Sequence, residues 1–331
     1  MNPGRWALAA VMALGVVSCS EDEPTVEPDT ERTAPPTSPP ESTTPTASGL
    51  AETTPTEPPP EVLGPPRFDQ DAALQTVRRL AGRIGPREAA SPEFERAADW
   101  VADRFTDLGY DVERQPVRVP AGVSWGVLVD AGRTWNVIAP TAELRPGDPY
   151  RIVGAHLDTV PQAPGAEDNA SGISVLLELA RLAASTPPRL PVVFVAFGGE
   201  EPRGDGDDDH HFGSTAYVEQ MSGRQRRSLD GMVSLDRVGV GAVVPVCSGG
   251  LEPPGVRRSL LRTAERMDIP AQPCENQASD HWSFDKAGLP AARIGSTPYA
   301  EYHSAADRPG VVQPRQLARV GRIMWEWLGG S

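Results

Sequence analysis

Apolar residues recur along this chain at two spacings. Leu74, Val77, Leu80 and Ile84 fall on one helical face of residues 69–84. Ser91-Pro92 reads as a helix start, with Ser as N-cap and Pro in the first turn. Phe94, Ala98, Val101, Phe105 and Leu108 carry that stripe on to Gly109. Further helical patterns lie near 170–184, 213–222, 254–267 and 314–328, the last with Leu317, Val320, Met324 and Trp327 on one side. Between them sit short apolar runs of strand type: Val117–Val119, Trp135–Ala139, Ile152–Ala155, Val192–Phe197, Met232–Leu235 and Ala242–Cys247. Short strands alternating with helices predict an α/β fold, a single globular domain whose mostly parallel central sheet carries helices on both faces. In such sheets functional groups gather at the carboxyl ends of the strands.

The N-terminal part follows neither spacing. Residues 1–19 read as a lipoprotein signal peptide: Arg5 gives the positive start, and Trp6 to Val17 is an apolar run too short to span a bilayer. Val16-Val17-Ser18-Cys19 resembles a bacterial lipobox, which would make Cys19 the lipidated first residue of the mature chain. An ordinary signal peptide with an incidental Cys is the alternative. Residues 20–66 form a Pro/Glu/Thr-rich tether with few apolar side chains, a composition that cannot offset the entropy of ordering. The expectation is an exported protein, lipid-anchored to the bacterial cell envelope, with the domain at 67–331 extracytoplasmic.

Composition divides the same way. Residues 21–66 hold 13 of the 36 prolines, ten acidic residues and one Arg, so they contribute −9 of the formal −14. Residues 67–331 carry 29 basic and 35 acidic residues, a net −6. This acidic balance, without a basic stripe, argues against a nucleic-acid partner. Besides Cys19, the chain has Cys247 and Cys274, which in an exported protein are either bridged or two isolated thiols.

Polar clusters punctuate the apolar runs. Gly154-Ala155-His156-Leu157-Asp158 places His156 and Asp158 two apart, so an extended chain projects both to one side. A metal-binding imidazole needs a partner on its other nitrogen, and Asp158 is placed to serve. Asp168, in Glu167-Asp168-Asn169-Ala170-Ser171-Gly172, reads either as a helix cap or as a carboxylate bridging two cations. Gly199-Glu200-Glu201 directly follows the buried run Val192–Phe197. Adjacent carboxylates there repel each other and resist desolvation, and a cation removes that penalty. One could ligate the metal while the other addresses its water. Asp236 closes another apolar run, and Tyr302-His303-Ser304 lies near the end, with Ser279-Asp280-His281 between. Each cluster alone has an ordinary structural reading. Taken in order, these His and carboxylate residues suit Zn²⁺ and activation of water for hydrolysis.

These segments, with Gly213-Ser214, Leu235-Asp236 and the opening Ile84-Gly85-Pro86-Arg87, resemble the zinc-dependent exopeptidases typified by bacterial leucyl aminopeptidase. That family also contains glutaminyl cyclases and glutamate carboxypeptidases. The resemblance spans about 70–328. It implies two Zn²⁺ ions, His156 and Asp236 on one, Glu201 and His303 on the other, with Asp168 bridging. It implies Glu200 as general base and Asp158 as the residue orienting His156. Peptide substrates follow, with an aminopeptidase the leading expectation. A glutaminyl cyclase, a carboxypeptidase and a non-enzymatic surface-binding module are the alternatives. Two departures stand out. Residues 202–212, longer than in the simplest members, contain Asp205, Asp207, Asp208, Asp209, His210 and His211, either a further metal tract or an acidic solvent loop. Arg237 replaces a commonly apolar residue, and either binds a substrate carboxylate or pairs with a loop carboxylate; Tyr302 is a second candidate substrate contact.

Overall fold

The structure, a computed structural model, describes residues 67–251 and 254–330. The signal peptide, Cys19 and the tether lie outside the described residues. Asp69 caps α1 (Gln70–Val77) by accepting from the Asp71 and Ala72 N–H groups, and a wider coil, Arg78–Ile84, continues it. α2 (Pro92–Asp107) starts where expected, the Ser91 hydroxyl accepting from Phe94 N–H. There follow β1 (Glu113–Val119), β2 (Gly122–Ser124), β3 (Val127–Val129), β4 (Gly132–Pro140), β5 (Tyr150–His156), α3 (Ser171–Ser185) and β6 (Val192–Phe197). Then come α4 (Phe212–Gln220), α5 (Gly223–Ser228), β7 (Leu229–Asp236), β8 (Val244–Ser248), α6 (Gly255–Arg266), β9 (Ala271–Glu275), α7 (His281–Lys286), β10 (Ala291–Gly295) and α8 (Pro314–Leu328).

Eight strands form one sheet in the order β1-β4-β6-β5-β7-β10-β8-β9. Its centre, β6-β5-β7-β10, is parallel. The flanks differ: β1–β4, β4–β6 and β10–β8 are antiparallel, whereas β8–β9 is again parallel. The physical reason is connection length. Between β1 and β4 lies only the small hairpin β2–β3, with no crossover helix to bring the chain back in the same direction.

Core residues alternate between the two faces. Val192, Phe194 and Ala196 of β6 pack with the helices α1, α2, α3, α6 and α8, while Val193, Val195 and Phe197 face the cluster that holds Val218 and Phe284. Burial on both faces is why this strand reads as an unbroken apolar run. At one edge, Cys247 and Cys274 sit opposite each other on β8 and β9 and form a disulfide. It pins an edge strand whose other residues are largely exposed. Among the described residues, no helix is long and apolar enough to cross a membrane.

Candidate metal centre

The parallel centre delivers its polar residues to one end. β5 ends in His156, β7 ends in Asp236, and β6 runs into Gly198–Glu201. The loop entering α3 brings Asp168, and the segment after β10 brings His303. Asp168 stands between two halves. Its Oδ1 lies 3.2 Å from Nε2 of His156, and its Oδ2 lies 3.1 Å from Nε2 of His303. Asp236 Oδ1 joins the first half at 3.6 Å from His156, and Glu201 Oε2 joins the second at 3.4 Å from His303. Glu200 lies beside the first half, 3.9 Å from His156 Nε2. All these side chains are buried.

The supporting loops are tied to each other by side chains. The Asp158 carboxylate accepts from the backbone N–H groups of Gly199, Glu200 and Glu201 at 2.9, 3.1 and 3.0 Å. This corrects its expected role: His156 Nδ1 lies 3.2 Å from the main-chain carbonyl of Asp158, and the nearer carboxylate oxygen is 3.8 Å away. Asp158 therefore fixes the Glu200-Glu201 turn through its side chain and His156 through its backbone. Asn169 clips the Asp168 loop to the end of β7, donating to Leu235 O and accepting from Arg237 N–H and Gly172 N–H. A Cβ at Gly172 would stand 2.3 Å from Leu235 O, which leaves glycine as the residue that fits. Glu167 accepts from the Gly239 and Val240 N–H groups, and Asp307 accepts from those of Glu167 and Asp168. The buried Arg87 donates to the carbonyls of Gly85, Leu157, Pro164 and Gly165, and so holds the loop that leads to Asp168.

Electrostatics separate the carboxylates. Burial opposes ionisation of Asp168, but the imidazoles of His156 and His303 beside its two oxygens outweigh it and hold the group well below the usual range. Burial likewise opposes Asp236, yet Arg293 and His156 bring it down to about 2. Burial, followed by the charges of Asp236 and Asp168, pushes Glu200 up to about 7 against the pull of His156. Three buried atoms, His156 Nε2, Glu201 Oε1 and Asp236 Oδ1, have no hydrogen-bond partner. Unpaired polar atoms at such a place cost free energy, and a cation would satisfy them. Two groups of ligand atoms, from His156, Glu200 and Asp236 and from His156, Asp168 and Glu201, each lie within 4.8 Å of one another. Imidazole and carboxylate donors in this arrangement fit zinc.

Comparison with known proteins supplies the family. The model of peptidase family M28 matches residues 136–328. The chain belongs to that family. Aminopeptidase YwaD of Bacillus subtilis is 31% identical over 185 residues, which are 52% of this chain and 39% of that protein. The chain spans about half or less of the length of the first curated relatives it matches. A solved zinc aminopeptidase from Bacillus subtilis superposes with a TM-score of 0.69 at 18% identity, covering 80% of this chain and 96% of that one. A glutaminyl cyclase from Bacteroides thetaiotaomicron superposes with 0.67 at 21% identity, covering 81% and 100%. These structures establish the fold of this M28 chain as mixed α/β, with a large central sheet flanked by helices.

A rim surrounds the centre of this M28 chain, made of the two candidate substrate contacts Arg237 and Tyr302 and of Trp125, which the sequence did not point to. A cavity of about 150 Å³ is lined by Trp125, Arg237 and Tyr302 together with Asp168, Glu201, Asp236 and His303. Trp125, at the β2–β3 turn, meets the His303 ring edge-to-face at 4.3 Å, and Tyr302 stacks on His303 at 3.7 Å. The hairpin is anchored by Arg203, directly after Glu201-Pro202. Its buried guanidinium donates to Pro120 O and Asp130 O at 2.7 Å and pairs with Glu88. The Asp/His-rich segment forms no further group of metal-ligand atoms among the described residues. Asp207 accepts from Trp282 and Lys286, Asp209 accepts from Gly206 N–H, and His211 Nε2 lies 3.3 Å from Glu200 Oε1. Burial brings the His211 imidazole down to about 3, so it stays neutral. Of the non-glycine residues with left-handed backbone, Trp125, His211, Arg237 and His303 line the cavity, and Ser296 bonds to Arg237. Such conformations are uncommon outside sites that need them. Arg293 was also unforeseen. A lone charge within the small apolar strand β10, it is the available signal: Nη2 stands 3.0 Å from Asp236 Oδ2.

Proposed function

We propose that this chain is an exported, zinc-dependent aminopeptidase that hydrolyses the amino-terminal peptide bond with two metal ions. The observation that carries the reading is Asp168, with one carboxylate oxygen toward each histidine and Glu200 beside the pair. His156, Asp168 and Asp236 would hold one ion, and His303, Asp168 and Glu201 the other. Bound zinc supplies Lewis acidity toward the scissile carbonyl and the attacking water. Glu200, beside the pair and not one of the assigned ligands, would remove the proton from that water and deliver it to the departing amine. Asp158 keeps Glu200 and Glu201 in register through their backbone N–H groups. His211 braces the far oxygen of Glu200. Trp125 and Tyr302 place aromatic rings against His303 at the second half.

The test is a panel of aminoacyl amides, N-blocked peptides and an N-terminal glutaminyl peptide, run with metal analysis. Free-amino substrates are expected to be cleaved and blocked ones spared. A strong chelator is expected to abolish turnover and Zn²⁺ to restore it, with about two ions per chain at full activity. Full activity after chelation, or cyclisation of the glutaminyl peptide without release of its first residue, would overturn the reading. For location, metabolic labelling with a radioactive fatty acid is expected to mark the wild type and not Cys19→Ala, with the wild type in the membrane fraction.

A further inference from the structure

The contacts of Arg237 engage only part of its guanidinium. Its neighbour Asp236 is already held by Arg293, which is fully buried and whose Nη1 also reaches Asn276 Oδ1 and Ala278 O. Arg237 Nε stands 3.9 Å from Asp236 Oδ1, beyond hydrogen-bond reach. The guanidinium lies over the Tyr302 ring, its carbon 4.5 Å from the ring centre. Among the described residues its one side-chain hydrogen bond runs from Nη2 to Ser296 Oγ at 3.2 Å. A guanidinium has five N–H donors in its plane, so stacking occupies the face and leaves most of the edge unpartnered. Both Arg237 and Ser296 sit in left-handed backbone, at φ 56° and 87°.

The position narrows what that edge can meet. Arg237 follows Asp236 directly in the chain and lines the same small cavity as Asp168, Glu201 and His303. It therefore reaches groups no more than about one residue from the scissile bond. A basic group there meets like charge, and an aliphatic one leaves a desolvated guanidinium without acceptors. A carboxylate matches the fork with two parallel hydrogen bonds. The carboxylates of Asp168, Glu200 and Glu201 share the cavity, so such a ligand is admitted only once cations balance them.

We infer that Arg237 recognises a substrate carboxylate within one residue of the scissile bond. That carboxylate is either the side chain of an amino-terminal Asp or Glu or the free C-terminus of the residue beyond the bond. The inference rests on the aminopeptidase reading and names its substrate class.

Two substrate pairs separate the sources, assayed on the zinc-loaded full chain. Glutamyl against methionyl arylamide varies the first side chain at similar length. Met-Met against Met-Met-amide varies the C-terminus. The carboxylate member of at least one pair is expected to win by roughly tenfold or more, mainly through KM. Arg237→Met is expected to erase that preference at unchanged zinc content, and Arg237→Lys to keep part of it, which a folding defect would not do. Calorimetric titration with L-glutamate and L-methionine reads the side-chain source without turnover. No carboxylate preference in either pair, or one that survives Arg237→Met, overturns the inference. Failure of the aminopeptidase reading looks different: neither arylamide and neither dipeptide is turned over, while the glutamate titration still reports on Arg237.

Discussion

The floor and the roof of the cavity are built on different principles. The floor is the carboxyl end of a parallel sheet, where buried side chains bind backbone groups of neighbouring loops: Asp158 to 199–201, Asn169 to Leu235 and Arg237, Glu167 to 239–240. The roof is a short hairpin whose apolar residues face outward; Leu128 is 85% exposed and Trp125 53%. One buried cation, Arg203, ties both ends of that hairpin to the segment after Glu201. The family match, 136–328, contains every floor ligand, whereas the hairpin precedes it. The difference teaches that the candidate ligands sit where the sheet enforces geometry, while the hairpin is a separate wall held by a few contacts outside the matched region.

Mutations can break this contrast. Glu200→Gln removes the proton acceptor and keeps the shape. A fall in kcat of roughly 10²–10⁴-fold with KM nearly unchanged is expected, measured by steady-state kinetics. Asp158→Asn touches no ligand atom but loosens the Glu200-Glu201 turn. Zinc affinity is expected to drop roughly 10–100-fold in competition with a chromophoric chelator. A drop no larger than that of a surface control would mean the floor is not held as described. On the roof, Trp125→Ala is expected to raise KM by roughly 2–10-fold with unchanged melting temperature and zinc content. Leu128→Ser, in β3 and 85% exposed, is expected to move neither. If Leu128→Ser raised KM as much as Trp125→Ala, the whole apolar hairpin, rather than the ring beside His303, would be the contact.

The fold was legible wherever burial imposed a period. Val192–Phe197 and Pro314–Leu328 were readable to the residue, because one is covered on both faces and the other keeps a single apolar stripe. β9 escaped, since Ala-Gln-Pro-Cys-Glu is an exposed edge with no alternation, and β10 escaped because Ala-Ala-Arg-Ile-Gly is short and small. The hairpin carried an apolar run without a core to face, so periodicity had nothing to report. Ligands at strand ends stood out as charges abutting apolar runs. Trp125 and Arg293 did not, because what makes them part of the centre is a contact with a residue far along the chain; His211 was noted only as a member of the Asp/His-rich segment. Asp158 was found for its spacing to His156, although its carboxylate serves a turn some forty residues away.

Asp168 has one further consequence. Because its two oxygens belong to different halves, whatever immobilises one oxygen also immobilises the other. If the two proposed ions fill these halves, their occupancies are thermodynamically linked, and by reciprocity the first alters the affinity for the second by the same factor in either order of filling. Such a centre would respond to scarce metal as one linked unit and not as two independent sites.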